Sequence, residues 1–206
     1  QWGGYEVFQE SDRAVFERCL HEMDRVNTLL KPVFGKPCFR MARNAFGLGN
    51  VLPELIVNPM EGQLHTGRMM QALLDRALGN PNPVRILNGV KLTGYNDLGE
   101  RVAVGTDHFD FYAQKLLLAT NGFAGELGTP DVRPARAQVL VTEPIPGLSL
   151  KGTFHMDEGF YYFRNVGQRV LLGGGRNLDP EGETTTALGQ TARIQESLEA
   201  LLREVI

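Results

Sequence analysis

Tyr162 and Arg164 stand two residues apart in the run Phe160-Tyr161-Tyr162-Phe163-Arg164. On a β-strand this spacing puts a phenol and a guanidinium on one face. The guanidinium fork can grip a carboxylate through two parallel hydrogen bonds. The same spacing also suits cross-strand packing with a charge at the rim, so the pair alone leaves both readings open. A second polar cluster closes an apolar run, where Leu116-Leu117-Leu118-Ala119 breaks at Thr120-Asn121-Gly122. Ligands of open sheets gather at the carboxyl ends of strands, but an ordinary strand-to-loop exit has the same sequence. The histidines read more plainly. His65 precedes a helix and suits a hydrogen bond at its start, and His108, beside Asp107 and Asp110, suits a turn. His155, in His155-Met156-Asp157-Glu158-Gly159, reads as a solvated turn before a strand rather than a metal loop.

Other chemistries lack their residues. No Gly-x-Gly-x-x-Gly follows a strand, so the phosphate-cradling turn of a dinucleotide fold is not in this sequence. Gly147 to Gly152 has the spacing of a phosphate loop but no Lys-Ser/Thr after it. His21-Glu22 has no second histidine for a zinc-protease helix, and no Gly-x-Ser-x-Gly elbow occurs. Cys19 and Cys38 make neither a disulfide framework nor a paired zinc-ligand set. No metal site is expected.

The elements that must position these residues follow from periodicity. Ser11 can cap a helix running to about Leu30, with Val15, Cys19, Met23, Val26 and Leu30 on one stripe. Lys31-Pro32 should end it, because the residue before proline avoids the helical region. Ile56-Val57 suits a short strand. Thr66 can cap a second helix to about Leu78, with Gly79 at its C-terminal position. From Val84 the period falls to two, predicting strands at Val84-Leu87, Val90-Tyr95, Val102-Val104 and Phe109-Ala113 around a turn at Asn96-Gly99. Lys115 to Ala119 reads as a strand buried on both faces. Gln138-Thr142 is a further strand, and Phe160-Arg164 with Gln168-Leu172 suits a hairpin. A last helix is predicted over roughly Ala187 to Val205. The sum is an α+β chain: a mixed or antiparallel sheet with packed helices.

With 206 residues, 42% of them hydrophobic, the chain can bury a core. Its net charge of −3 argues against nucleic-acid backbones as partners. No apolar run approaches the ~20 residues of a membrane span. Gln1-Trp2-Gly3-Gly4-Tyr5 does not read as a signal peptide, and the low charge and absent spans make a cytoplasmic location the expectation. The missing initiator Met, and an end that falls inside an amphipathic pattern, suggest a piece of a longer chain.

Four patches in order resemble the FAD-dependent oxidoreductases of the D-amino-acid oxidase and glycine oxidase type, over about residues 55–180. They are Glu61-Gly62-Gln63-Leu64-His65-Thr66-Gly67-Arg68; Lys115 to Phe123 with its Ala-Thr-Asn-Gly; Arg133-Pro134-Ala135-Arg136-Ala137-Gln138-Val139; and Phe160-Arg164 with Val170-Leu171-Leu172-Gly173-Gly174. Ala137 stands where the family usually has Gly. The resemblance implies a discontinuous substrate-binding domain, 1–64 and 134–188. It implies a partial FAD-binding domain, 65–133 and 189–206, without the N-terminal Gly-x-Gly-x-x-Gly unit.

By the same resemblance Val90, Ala119, Thr120 and Asn121 lie at the adenosine part of FAD, and Tyr162 and Arg164 face the substrate. Catalytic residues remain unassigned. The implied function is part of an oxidoreductase acting on an amino acid, related amine or small acid. FAD would be bound in the parent protein, while this chain alone is expected to hold none and to be inactive. The alternative is a flavin-free binding or docking module. Leu116 to Leu118 should leave an apolar edge that seeks a partner, such as a second copy in a homodimer.

Overall fold

The computed structural model describes residues 2–82, 84–128 and 131–206. They fall into two compact units. The first comprises the described residues up to Gln63, Arg136–Glu183 and Ala187–Ile206; the second is Leu64–Ala135 with Thr184–Thr186.

The first unit is built on a seven-stranded mixed sheet. In chain order its strands are β1 (Gly4–Glu6), β2 (Arg40–Arg43), β3 (Glu54–Asn58), β7 (Val139–Val141), β8 (Thr153–Met156), β9 (Tyr161–Val166) and β10 (Arg169–Gly174); the second unit supplies β4 (Leu92–Asp97), β5 (Val102–Thr106) and β6 (Asp110–Ala113). Across the large sheet the order is β2-β3-β1-β8-β9-β10-β7. Only the β1–β8 pair is parallel among the pairings described.

Alternation along the strands decides which face is core. Phe154, Phe163, Val170 and Leu172 are buried on one face together with Ile194 and Leu198 of helix α3 (Ala192–Glu204). The rings of Tyr5, Phe154 and Phe163 stack in succession, at 4.9 Å and 4.7 Å between centroids. A smaller core of Phe8, Phe16, Leu52 and Ile56 lies under helix α1 (Arg13–Phe34).

Helix α1 runs through Pro32, beyond the expected stop near Leu30. Pro32 has no N–H, so the helix forgoes one i→i−4 hydrogen bond there and still runs two residues further. Gly35, at φ 72°, ends the helix by donating its N–H to the Lys31 carbonyl at 2.8 Å. Ser11 belongs to the 3-10 turn Glu10–Asp12, where the Gln9 N–H donates to Asp12 Oδ2 at 2.9 Å.

The second unit holds helix α2 (Thr66–Leu78) and the antiparallel sheet β4-β5-β6. The N-cap of α2 is His65 rather than Thr66: its Nδ1 accepts from the Arg68 N–H at 3.2 Å. Three expectations fail here. Val84-Leu87 forms no strand, the strand expected from Val90 starts at Leu92, and Leu116 to Ala119 is not a strand. A strand needs a ladder partner, and β4, β5 and β6 pair only with one another among the described residues. Leu117 is 88% exposed, and α2 buries no residue. The segment 189–206, grouped above with the FAD-binding part, belongs to the first unit: apolar positions of α3 enter the main core.

Candidate functional site

The antiparallel register of β8 and β9 sets His155 opposite Tyr162 and Thr153 opposite Arg164. The register of β1 and β8 sets Glu6 opposite His155 and Gly4 opposite Thr153. On the other side Tyr162 faces Gly173 and Arg164 faces Leu171. Two adjacent rows therefore cross the sheet: Glu6-His155-Tyr162-Gly173 and Gly4-Thr153-Arg164-Leu171. Residues two apart on a strand share a face, so both rows lie opposite the face that packs on α3. Tyr161, one residue from Tyr162, points the other way and shares a 2.8 Å hydrogen bond with Ser197 of α3.

Two glycines let side chains lie flat on this face. A Cβ on Gly173 would stand 2.6 Å from the Tyr162 ring, and one on Gly4 would stand 2.2 Å from the Glu61 carboxylate. Glu61 also accepts from Thr153 Oγ1 at 3.0 Å. The structure thus brings Tyr162 and Arg164 to one face, as their spacing predicts, and adds Glu6, Glu61 and His155 to it.

His155 is not in a solvated turn. It is in β8, and its Nδ1 lies 3.1 Å from Glu6 Oε1. The hydrogen bond that the ring donates to Glu6 pushes the imidazole pKa up, burial opposes this, and the charges of Glu6 and Glu61 add to the rise. The sequence hid the pair because its members are 149 positions apart. A cavity of about 320 Å³ opens beside Glu6, between the start of α1 and the turn at Asp157 and Glu158.

Arg136 and Gln138 meet a second carboxylate that the sequence reading missed. Glu183 is buried and accepts from Arg136 Nε at 3.0 Å, Arg136 Nη2 at 2.7 Å and Gln138 Nε2 at 2.8 Å. The Arg136 hydrogen bond holds its pKa down, burial pushes against this, and Gln138 lowers it further.

The residues expected at the adenosine lie in the second unit, on two segments. Val90 lies just ahead of β4, between Lys91, whose N–H donates to Asp107 Oδ1 at 2.9 Å, and Gly89, whose carbonyl meets His108 Nε2 at 3.2 Å. Ala119, Thr120 and Asn121 lead into the 3-10 helix Asn121–Leu127, with Asn121 at φ 49°. The Thr120 hydroxyl oxygen is buried and has no hydrogen-bond partner among the described residues. A buried hydroxyl in that state is costly, and a polar ligand group beside it would relieve the cost. No group of His, Cys, Asp and Glu among the described residues is arranged to hold a metal ion. No described helix is long and apolar enough to cross a membrane.

Comparison with known proteins agrees with this architecture. No curated protein matches the sequence. Among solved structures, the glycine oxidase of Geobacillus kaustophilus superposes with a TM-score of 0.68 at 15% identity, covering 100% of this chain and 54% of that one. NikD, described as an unusual amino acid oxidase essential for nikkomycin biosynthesis, superposes in its open form with a TM-score of 0.65 at 16% identity, covering 98% of this chain and 56% of NikD. The chain therefore spans about half the length of these structures, and at such identity the likeness is one of fold. The family model of the FAD-dependent oxidoreductases, DAO, matches residues 1–206, and the chain belongs to that family.

Proposed function

We propose that the chain supplies the substrate-binding sheet and part of the FAD adenosine site of an oxidoreductase that oxidises an amino acid or related amine. The observation that carries this reading is the shared face of Tyr162 and Arg164, opposite the α3 core. Arg164 offers a fork for the substrate carboxylate. The Tyr162 ring, lying over Gly173, offers a flat apolar wall with a hydroxyl at its end.

Thr120, with Val90, Ala119 and Asn121, would hold the adenosine part of FAD; the unpartnered Thr120 hydroxyl fits a ligand that supplies the missing hydrogen bond. FAD supplies the two-electron acceptor for a hydride from the amine carbon. The residues of this chain bind and orient: Arg164 fixes one end of the substrate and Tyr162 limits its rotation.

The sequence contains no Gly-x-Gly-x-x-Gly turn to bind the pyrophosphate. We therefore expect the isolated 206-residue chain to hold no FAD and to be inactive, and the full-length protein encoded by the gene to carry the flavin.

The test is anaerobic bleaching of the visible flavin band in the full-length, FAD-loaded protein by a panel of amino acids and amines. Bleaching by at least one amino acid is expected. A flavin that no amine or amino acid reduces overturns the oxidase reading and favours a binding or docking module.

A further inference from the structure

We propose that His155, held by Glu6, takes the proton from the substrate's ammonium group on the face of the large sheet opposite α3. The inference rests on the reading above, in which an amine or amino acid lies against Tyr162 and Arg164. Carboxylate, imidazole and phenol stand in one cross-strand row, Glu6-His155-Tyr162. Directly opposed antiparallel neighbours have Cβ atoms about 4.5–5.5 Å apart, so a molecule lying on Tyr162 is within reach of His155. Glu6 Oε1 is 3.1 Å from Nδ1. A carboxylate there keeps the neutral ring protonated on Nδ1 and leaves the lone pair on Nε2. Among the described residues Nε2 has no hydrogen-bond partner, and the imidazole is 38% exposed.

The chemistry requires such a group. The carbon of an amine gives up hydride with help from the nitrogen lone pair, and an ammonium has none. The proton therefore leaves first. A substrate N–H bond breaks, an Nε2–H bond forms, and the electron pair stays on the substrate nitrogen. Positive charge moves to the imidazole, where Glu6 stabilises it.

The groups around the ring favour this direction. Glu6 faces it from β1, and Glu61 adds a second negative charge. Asp157 and Glu158 follow His155 in the chain and border the cavity beside Glu6, together with Asp12, Arg18 and Cys19 from the α1 side. Tyr162 faces it from β9, and Arg164, one row along, is the opposing cation on that strand.

Imidazole NMR on the 206-residue chain provides the first test. Neutral His155 should be protonated on Nδ1 and bare on Nε2. Its titration midpoint should lie above that of an ordinary histidine and fall in Glu6→Gln. A neutral ring protonated on Nε2, or a midpoint that Glu6→Gln leaves in place, overturns the proposal.

The second test uses the full-length flavoprotein with an amino acid that bleaches it. Wild-type kcat/KM should fall as pH drops through the His155 pKa. His155→Gln should lose that acid limb and about 100-fold in kcat/KM near neutrality, with flavin binding unchanged. Bleaching with the acid limb retained in His155→Gln overturns this proposal alone. Absence of bleaching by any amine overturns the oxidase reading itself, and the proposal with it.

Discussion

Glu183 is 1% exposed and receives two N–H groups from Arg136, at 3.0 and 2.7 Å. The two residues are the first and last of one segment of the first unit, Arg136–Glu183, and the Arg136 N–H also donates to the Glu183 carbonyl at 2.8 Å. Gln138 extends the network by accepting from the Thr191 N–H at 3.0 Å, just ahead of α3. Lead-in, exit and helix start are thus tied around one carboxylate.

Removing one member of a buried pair leaves the other charge unpaired, which costs about 3–5 kcal/mol. Arg136→Ala should destabilise the chain by that order in urea unfolding, and more than any exposed arginine substitution such as Arg203→Ala. Equal midpoints for the two variants would contradict the buried-clasp account.

The pH dependence has a defined sign. Glu183 has a lowered folded pKa. Its stabilisation is present above the ordinary glutamate pKa and is lost as pH falls through the folded value. His155 behaves oppositely: with a raised folded pKa, its contribution is full below the ordinary histidine pKa and is lost as pH rises through the folded one. Both His155 and Glu6 are more than a third exposed, so this second contribution should stay within about 1 kcal/mol. Unfolding free energies of wild type, Glu183→Gln and Glu6→Gln across acid to neutral pH check both signs. Glu183→Gln should flatten the acid side, and Glu6→Gln should flatten the fall through the His155 range.

Gly173→Ala should push the Tyr162 ring off the sheet, because a Cβ would stand 2.6 Å from it. Overpacking of this kind costs about 1–3 kcal/mol. Tyr162→Ala should largely relieve that cost, giving a non-additive double-mutant cycle in unfolding measurements. Additive effects would place the ring elsewhere.

Much of this was legible in the sequence. The hairpin β9–β10, helix α2 and the meander β4-β5-β6 follow from local periodicity and turn residues. Tyr162 and Arg164 needed only the period of two. Residues whose partners lie far along the chain were not legible. His155 looked like a turn because β8 spans only four residues and pairs with β1, about 150 positions away. Glu183 carried no local mark, since Arg136 is 47 positions off. The apolar run at Leu116 misled because apolar content suggests burial, whereas a strand also requires a hydrogen-bonding neighbour.

The exposed apolar stripe of α2 carries its own expectation. Met70, Leu73 and Leu78 are 60%, 54% and 46% exposed, and Leu117 is 88% exposed. Such a surface seeks cover, so the isolated chain should self-associate with rising concentration. Light scattering should show Leu73→Glu with Leu117→Glu restoring the monomer without loss of helix signal. A wild-type chain that stays monomeric at high concentration would contradict this.

The central claim is that the Tyr162–Arg164 face binds a substrate carboxylate, and Arg164→Ala tests it most directly. In the full-length flavoprotein, anaerobic bleaching is titrated with an amino acid and with the amine that lacks its carboxylate. A charged hydrogen bond is worth about 1.5–3 kcal/mol, or roughly ten- to a hundredfold in affinity. Arg164→Ala should weaken the amino acid by that factor and leave the decarboxylated amine unchanged. An equal effect on both, or none on either, would contradict the assignment of this face to the substrate carboxylate.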